Sequence, residues 1–336
     1  MHVAAVLNPY IKGLETFSAL SEDNAILINF SDEINMAKKK TDYSFFIADV
    51  PDMFLTFLDV RNWFHIPLWI RGNINISGDI NSIIRKQSTL RSDLARIKKY
   101  DFVFDTTNEK SKFCDFYRDM YLPYITKRYR DTAWIEDYRM MKKEFSKCDL
   151  ILVKSKGETI AGGLIAHKSF KARLWCIGVN QGNPDHVKEG ALGALNYFMI
   201  KYLKDKGFES VDFGGSRPFM KDGVLNRKKK WGMRITQKSD RCFIFKLLQN
   251  TSGVKAFLIN NPFIFSDDKG LVGAVFVENE FSINDRFVEE MYDKYYYPGL
   301  LKIAVYVIDG GDSKKSTTSE RLPDRICVRS ASGLFA

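Results

Sequence analysis

The chain has 336 residues, of which 45% are apolar and 27% charged, and its formal net charge is +10. This length can bury one large core or two smaller ones, and the composition excludes a disordered or fibrous protein. No window approaches the roughly 20 apolar residues of a membrane span, and the amino terminus lacks the basic and apolar regions of a signal peptide. We therefore expect a globular protein without an integral membrane segment.

The cysteines are widely scattered and odd in number. They are Cys114, Cys148, Cys176, Cys242 and Cys327. Because disulfides persist in oxidising compartments and these cysteines show no metal-ligand or redox spacing, we expect a reducing compartment, the cytoplasm. The four histidines form no cluster with acids or cysteines, so no metal site is predicted. His167, at the end of an apolar strand, is expected to be structural.

The positive charge is concentrated in one segment. Between Arg217 and Lys246, ten lysines and arginines stand against two aspartates, which leaves a net charge of +8. Such a patch attracts the phosphates of a nucleotide cofactor, of RNA or of a lipid headgroup. The alternative is a solvated face without a binding role.

Residues 1–87 are predicted to form a small N-terminal α/β lobe. Apolar runs at 25–30, 44–50 and 64–76 are separated by polar stretches, which is typical of strands and short helices. A basic helix over 88–99 and a strand over 101–106 follow.

Two amphipathic helices come next. In the first, apolar residues recur at helical spacing from Phe113 onward, and Pro123 is expected to kink the helix. The second carries four apolar residues on one face: Trp134, Tyr138, Met141 and Phe145. We expect both apolar stripes to lie in the core.

Four strands and a long helix complete the pattern. The strands are predicted over 149–154, 159–167, 173–179 and 210–213. The pair Lys156-Gly157 indicates a tight hairpin, so the first two strands should pair antiparallel. A long helix is predicted from about 186 to 206, and Gly207 ends it.

The last of these strands runs into the glycine pair Gly214-Gly215, which Arg217 and Pro218 follow closely. Paired glycines after a strand expose backbone N–H groups, and the nearby cations add positive charge at the same concave place. Proteins receive anionic or acyl ligands in this way. The segment therefore predicts a transferase site.

This order of elements resembles the GCN5-related N-acetyltransferase (GNAT) fold, over about residues 88–246. Four segments are similar to its FemAB-like branch: 117–124 (YRDMYLPY), 150–163 (LILVKSKGETIAGG), 207–218 (GFESVDFGGSRP) and 228–232 (KKKWG). The resemblance implies an α+β fold with a mixed central sheet flanked by helices. It also implies that the N-terminal lobe is at most a degenerate second half of this kind.

Four consecutive segments follow from this interpretation. The lobe at 1–87 is expected to precede an acyltransferase domain at 88–247. A C-terminal extension at 248–309 is expected to pack on the core. The tail at 310–336 is rich in Gly, Ser, Thr and Lys and is expected to be flexible.

The resemblance also implies where the donor binds. In such acyltransferases a central strand splays from its neighbour and its backbone polarises the acyl carbonyl, while the next helix receives the cofactor pyrophosphate at its amino terminus. The corresponding carbonyl contacts here are Ile177, Gly178 and Val179. The segment most similar to the family's phosphate-binding loop contains Lys188, Gly190 and Gly193, but their spacing differs from the family pattern. The implied donor is acyl-CoA, such as acetyl-CoA. The alternative is aminoacyl-tRNA, the donor of FemAB proteins.

Two residues are candidates for proton transfer. Asp212 lies at a strand end, where a partly buried carboxylate with a raised pKa would accept a proton from an amine or hydroxyl. The alternative is that Asp212 only bonds the N–H groups of the turn. Tyr117 is the second candidate.

The substrate is expected to meet the glycine turn, the cations and the tyrosine face of the first helix. Arg217 is stiffened by Pro218 and suits two-point binding of a phosphate or carboxylate. For two of the three tyrosines a core role is the better interpretation. The substrate-binding candidates are Tyr121, Tyr124, Gly214, Gly215, Arg217, Lys228 and Lys230.

The sequence thus predicts an acyltransferase that joins an acyl or aminoacyl group to an amine or hydroxyl. The implied acceptor is a small-molecule, glycan or peptide precursor of the cell envelope or of a polysaccharide, with tRNA as a further possible partner. Direct attack in a ternary complex is favoured, since no covalent nucleophile is evident. Two alternatives stay open: an RNA-binding module that uses the +8 segment, with Phe243 and Phe245 as its aromatics, and a degenerate, non-catalytic scaffold.

Overall fold

The computed structural model describes residues 2–5, 43–57, 63–86, 88–168, 171–278, 284–309 and 325–335. The predicted strand at 25–30 lies outside these residues. The chain divides into two compact units. The first unit consists of 1–70, 215–226 and 235–336, and the second consists of 71–214 and 227–234.

The strands of the described residues, in chain order, are β1 (His2–Ala5), β2 (Tyr43–Pro51), β3 (Phe64–Pro67), β4 (Ile70–Asn75), β5 (Val103–Thr107), β6 (Cys148–Ser155), β7 (Glu158–Lys168), β8 (Lys171–Val179), β9 (Ser210–Ser216), β10 (Arg234–Lys238), β11 (Arg241–Leu247), β12 (Phe263–Asp267), β13 (Gly270–Val277), β14 (Lys302–Val307) and β15 (Ile326–Ser330).

The α-helices are α1 (Ile80–Lys86), α2 (Ser88–Lys99), α3 (Lys110–Asp115), α4 (Leu122–Tyr129), α5 (Tyr138–Glu144), α6 (Pro184–Glu189), α7 (Ala191–Asp205), α8 (Gly223–Lys230), α9 (Ser252–Asn260) and α10 (Asp285–Tyr295). A π-helix, Phe116–Tyr121, joins α3 to α4. No described helix has the length and apolar character that crossing a membrane requires.

The first unit contains a mixed sheet of order β1-β2-β11-β3-β12-β13-β14-β15. Its middle strands are antiparallel, whereas β13, β14 and β15 are parallel to one another. The buried face is rich in aromatic side chains that meet edge to face, a favourable ring geometry. Phe64 contacts Phe263, Phe265 and Tyr306 in this way.

The first unit draws on both ends of the chain. Strands β2 and β3 of the predicted N-terminal lobe both pair with β11, near residue 245. These contact-defined units therefore differ from the consecutive segments 1–87, 88–247 and 248–309. The apolar pattern of a strand shows which face is buried and does not show which distant strand is its partner.

The predicted flexible tail contains a strand. Residues 310–324 lie outside the described residues, but Ile326–Ser330 forms β15, which pairs in parallel with β14. The Gly- and Ser-rich composition from residue 310 does not extend to Ile326 and Val328, which are buried. The prediction of a flexible tail is wrong for this strand.

The second sheet is mixed, with the order β10-β4-β9-β8-β7-β6-β5 and helices on both faces. Its strands β5, β6, β7 and β8 lie wholly within the second unit. Adjacent residues of a strand point to opposite faces. A Cβ on Gly162 of β7 would lie 2.8 Å from Phe116 of the π-helix, and a Cβ on Gly163 would lie 2.8 Å from Met199 of α7. The fold class is α+β with a mixed sheet flanked by helices, as predicted.

Several predicted elements of this unit are confirmed. Helix α2 has the predicted bounds, and β6, β7 and β8 lie within two residues of theirs. The β6–β7 hairpin turns at Lys156 and Gly157, whose φ values of 50° and 86° are in the left-handed region.

The predicted helix over 186–206 is two helices. Gly190 has a φ of 100°, which interrupts the chain between α6 and α7. The apolar spacing continues through the break, so periodicity alone does not reveal it. Gly207, also at positive φ, follows the end of α7 as predicted.

The second amphipathic helix is shorter than predicted. Helix α5 begins at Tyr138, with Asp137 as its N-cap accepting from the N–H of Met140 at 2.8 Å. Met141 and Phe145 are buried, but Trp134 precedes the helix and is 68% exposed. The expectation that Trp134 lies in the core is wrong.

The irregularity expected at Pro123 lies one turn earlier. Residues Phe116–Tyr121 form the π-helix, and Pro123 stands in the first turn of α4, where a missing N–H costs little.

Candidate functional site

Strands β8 and β9 separate after one short stretch of pairing. Their ladder consists of Ala172 with Val211 and Arg173 with Asp212, whereas β8 pairs with β7 as far as Val179. A bulge at 175 shifts the β7–β8 register, and a bulge bends its strand. The β8 edge beyond Arg173 therefore leaves the ladder, the arrangement that the resemblance implies for acyl binding.

The three predicted carbonyl contacts lie in the separated part of β8. Gly178 and Val179 are buried and Ile177 is partly exposed. A Cβ on Gly178 would lie 2.5 Å from the backbone of Met120 and Tyr121. The backbone of the π-helix thus packs directly on β8, and only glycine permits this approach.

Both carboxylate oxygens of Asp212 have protein partners. Arg71 on β4 contacts Oδ2 through its Nη2 at 3.1 Å, and the N–H of Gly214 donates to Oδ1 at 2.7 Å. The second contact is the turn bond that the sequence analysis kept as an alternative. Arg71 is a site residue that the sequence did not indicate.

Arg173 stands opposite Asp212 in the β8–β9 ladder. Burial and the nearby Arg71 guanidinium lower its pKa, while Asp212 and Glu136 act in the opposite direction. Within the described residues, neither the Nε of Arg173 nor that of Arg71 has a hydrogen-bond acceptor, although both atoms are buried. Asp212 therefore pairs directly with Arg71, and its charge also acts on the Arg173 guanidinium.

Glu136 lies between α4 and α5 and is held by two tyrosines. Tyr117 donates its hydroxyl to the Glu136 carbonyl at 3.0 Å, and the Glu136 N–H donates to the Tyr121 hydroxyl at 2.9 Å. The Glu136 charge acts on Arg173 and on Cys176. Among the described residues, no hydrogen bond or ion pair engages its carboxylate. Within that part of the chain, Glu136 is thus a carboxylate of the site whose oxygens accept no hydrogen bond.

The three candidate tyrosines differ in environment. Tyr121 and Tyr124 are buried, at 3% and 4% exposure, as a core role requires. Tyr117 is partly exposed, and burial together with nearby Asp137 raises its pKa. Its hydroxyl is therefore protonated near neutral pH and serves as a hydrogen-bond donor.

A lysine of the second unit makes a hydrogen bond to the glycine turn. Gly214 has a φ of 70°, and the buried ammonium of Lys228 donates to the Gly214 carbonyl at 3.0 Å. Lys228 thus points inward, toward the backbone. In the first unit, a Cβ on Gly215 would lie 3.3 Å from the Trp69 ring, and Arg217 is partly exposed.

Side chains of α2 lie against the amino terminus of α7. A Cβ on Gly193 would lie 2.6 Å from Asp93 Cγ, and a Cβ on Gly190 would lie 2.8 Å from Arg96 Cδ. Burial raises the pKa of Asp93, and nearby Lys230 and Arg96 oppose this rise. A carboxylate therefore stands where the resemblance places the cofactor pyrophosphate. Lys188 points elsewhere, toward Asp185 at 3.2 Å.

The aromatics proposed for RNA stacking are core residues. Phe243 and Phe245 are at most 1% exposed, and Trp231 is 3% exposed. Among the residues that the structure describes, no group of three or more His, Cys, Asp and Glu side chains is arranged to hold a metal ion.

His167 belongs to a structural network. Its Nε2 lies 2.8 Å from Asp149 Oδ2, which also accepts from the Tyr202 hydroxyl at 2.7 Å. This network joins β6, β7 and α7, in agreement with a structural role.

No protein-family model matches the sequence, and no curated protein matches it. Several solved structures are similar in fold at low sequence identity. The C-terminal domain of an Agrobacterium fabrum protein named as a lysylphosphatidylglycerol synthetase is 13% identical, with a TM-score of 0.40 over 67% of this chain and 74% of that one. FemX is 14% identical, with a TM-score of 0.41 over 63% and 75% of the two chains. L-PGS from Bacillus licheniformis is 12% identical, with a TM-score of 0.38 over 68% and 76%. These are similarities of fold.

Proposed function

We propose that this protein is an acyltransferase that moves an acyl or aminoacyl group onto an amine or hydroxyl. The observation that carries the proposal is the separation of β8 from β9 beside a cluster of charged side chains. Acyl transfer develops negative charge on the carbonyl oxygen, and preorganised backbone N–H groups stabilise that charge. The separated edge of β8 is suited to this task.

Backbone groups of Ile177, Gly178 and Val179 would contact the acyl carbonyl. Glu136 would accept the proton of the attacking amine or hydroxyl, because its carboxylate oxygens are open and it lies beside the other charged groups. Asp212, the candidate from the sequence, would instead hold Arg71 in place through its ion pair.

The transfer would proceed by direct attack in a ternary complex. Cys176 is the thiol of this site, and burial strongly raises its pKa. A thiol that stays protonated is a poor nucleophile. The same site therefore supports no acyl-enzyme at Cys176.

The donor would be acyl-CoA or aminoacyl-tRNA, the two classes that the sequence analysis names. Asp93 beside the amino terminus of α7 opposes the usual placement of a CoA pyrophosphate, because its carboxylate would repel a second negative group there. The acceptor would be a small-molecule, glycan or peptide precursor of the cell envelope or of a polysaccharide.

A transfer assay with both donor classes tests the proposal. The protein is incubated with acetyl-CoA and longer acyl-CoAs, or with a mixture of aminoacyl-tRNAs, and with amine and hydroxyl acceptors from cell-envelope precursors. Mass spectrometry then detects the acylated acceptor. We expect transfer from one donor class, lost in Glu136→Gln and kept in Glu158→Gln, which alters an exposed carboxylate at the β6–β7 hairpin.

The absence of any acylated product with both donor classes would overturn the proposal, provided that the protein is folded by circular dichroism. Accumulation of acyl-enzyme would contradict direct attack.

A further inference from the structure

Arg71 and Arg173 form a pair of cations around one carboxylate. Arg71 reaches Asp212 at 3.1 Å, and Arg173 is the ladder partner of Asp212 on the adjacent strand. The Nε of each arginine is buried and has no acceptor among the described residues. Each guanidinium thus retains a donor that the protein does not use.

The local charge is positive. Lys228 adds a third, buried cation, since it donates to the carbonyl of Gly214 next to this pair. Arg173 also lies near Gly214, whose Cβ position would be 4.0 Å from the Arg173 Nε. Arg71 has an ion pair with Asp212, but Arg173 has none among the described residues. The half-buried Arg173 guanidinium is therefore a cation whose charge is left unpaired within that part of the chain.

A buried donor without an acceptor is costly, and so is an unpaired buried charge. An oxyanion corrects both, because its oxygens accept hydrogen bonds from Nε and its charge pairs with that of the Arg173 guanidinium. Guanidinium is suited to this ligand, since its planar fork matches the two oxygens of a carboxylate or phosphate. A neutral ligand would leave the charge in place.

We propose that Arg71 and Arg173 together bind an oxyanion, a carboxylate or phosphate group carried by a substrate. That the ligand is a substrate rests on the proposed function, but oxyanion binding itself does not. The reacting molecule would then carry this group close to the atom that is acylated or to the acyl group that is transferred. Asp212 competes with the ligand for Arg71 and so limits the affinity of the free protein.

Arginine Nε–Hε resonances of ¹⁵N-labelled full-length protein test the proposal. Arg71→Lys and Arg173→Lys assign the two signals, and sodium phosphate or sodium acetate is then titrated. We expect both signals to shift and saturate, while sodium chloride at equal ionic strength leaves them unchanged. A stronger response to phosphate identifies a phosphate-bearing substrate, and a stronger response to acetate identifies a carboxylate.

The lysine variants and Asp212→Asn should change the oxyanion affinity in opposite directions. Each lysine variant should weaken binding by about 10-fold or more, because the ammonium keeps the charge but loses the fork. Asp212→Asn should strengthen binding by a similar factor, because it releases Arg71. Arg139→Lys, an exposed position on α5, is the matched control and should change nothing.

Signals that respond to neither oxyanion, or that respond equally to chloride, would overturn the proposal. Weaker binding in Asp212→Asn would overturn it also, since that result fits a purely structural ion pair. This measurement needs no donor and no turnover. Oxyanion binding without acyl transfer therefore contradicts only the proposed function, and transfer without oxyanion binding contradicts only the arginine site.

Discussion

Asp93 stands against Gly193 so closely that a Cβ on the glycine would lie 2.6 Å from the carboxylate carbon. A side chain of α2 thus packs on the first turn of α7. The positive end of a helix dipole attracts an anion, and the Asp93 carboxyl lies beside that end. This carboxylate would repel a phosphate bound at α7.

Removing this carboxylate should strengthen CoA binding. In Asp93→Ala the amino terminus of α7 is released, while Arg96 and Lys230 stay nearby as cations. The interaction of an anion with a helix terminus is worth about 0.3 to 2 kcal/mol, so we expect CoA affinity to rise about 2- to 30-fold. Isothermal titration calorimetry with CoA measures the change.

Asp185→Ala, at an exposed position on α6, is the matched control for this experiment. Equal CoA affinities in wild type and Asp93→Ala would show that Asp93 does not occupy a phosphate site.

Exchanging the site carboxylates for amides should separate their roles. If Glu136 accepts the proton, Glu136→Gln lowers kcat by about 100-fold or more, the usual size of a general-base contribution. Asp212→Asn should keep the wild-type slope of kcat against pH. Steady-state kinetics over a pH series measures both.

The reverse pattern would support the original assignment from sequence. A flat pH profile in Asp212→Asn together with a normal profile in Glu136→Gln would identify Asp212 as the base.

Alanine at Gly214 should cost more than alanine at Gly207. Both glycines have positive φ, so each substitution carries the same backbone penalty, about 1 to 2 kcal/mol of unfolding free energy. Only at Gly214 does the new Cβ meet a neighbour, the carbonyl oxygen of Leu174 at 3.2 Å. Urea denaturation and an activity assay on the same samples measure the difference.

We expect Gly207→Ala to lose stability with its activity per folded molecule intact. Gly214→Ala should lose activity beyond its loss of stability, because the turn lies beside Arg173. Equal losses of stability and activity in the two variants would show that Gly214 only permits the turn.

The Asp149 network should make stability depend on pH in the acidic range. Burial alone raises the pKa of Asp149, but hydrogen bonds from Tyr202 and His167 outweigh it and hold the pKa below the ordinary value of 3.8. A carboxyl group with a lowered pKa stabilises the folded state above its unfolded pKa, and that contribution is lost as the pH falls through the folded pKa.

Asp149→Asn should therefore destabilise the protein by about 1 to 3 kcal/mol at pH 6, with the difference shrinking below pH 4. Denaturant unfolding at a series of pH values measures it. Asp205→Asn removes an exposed carboxylate on α7 and serves as control. A difference that is constant down to pH 2.5 would contradict the assignment.

Local patterns were sufficient for several elements of the second unit. The hairpin at Lys156-Gly157 was predictable because turn chemistry and strand alternation act over a few residues. The break at Gly190 was not, because the apolar spacing is continuous across it. A glycine between apolar helical residues also occurs inside helices, and only the tertiary contact with Arg96 distinguishes the two cases.

The backbone of the candidate site and part of its charged groups, such as Asp212 and Lys228, could be predicted from the sequence, but other charged groups could not. The glycine turn and β8 appeared in the pattern, whereas Arg71, Glu136 and Asp93 come from segments with no motif. They meet the site through long-range packing, which one sequence does not show. Arg173 had a local signal that was overlooked: it is a cation within an otherwise largely apolar strand.

The π-helix before α4 sets how far α4 is rotated about the helix axis relative to α3. Each residue advances an α-helix by about 100°, so a widened turn shifts everything after it relative to everything before it. Phe113 lies before this turn and Tyr124 after it, and both are buried. Removing one residue from this turn would rotate the helix that carries Tyr124 by nearly a third of a circle. The backbone of Met120 and Tyr121, which packs on Gly178, would then no longer fit against β8.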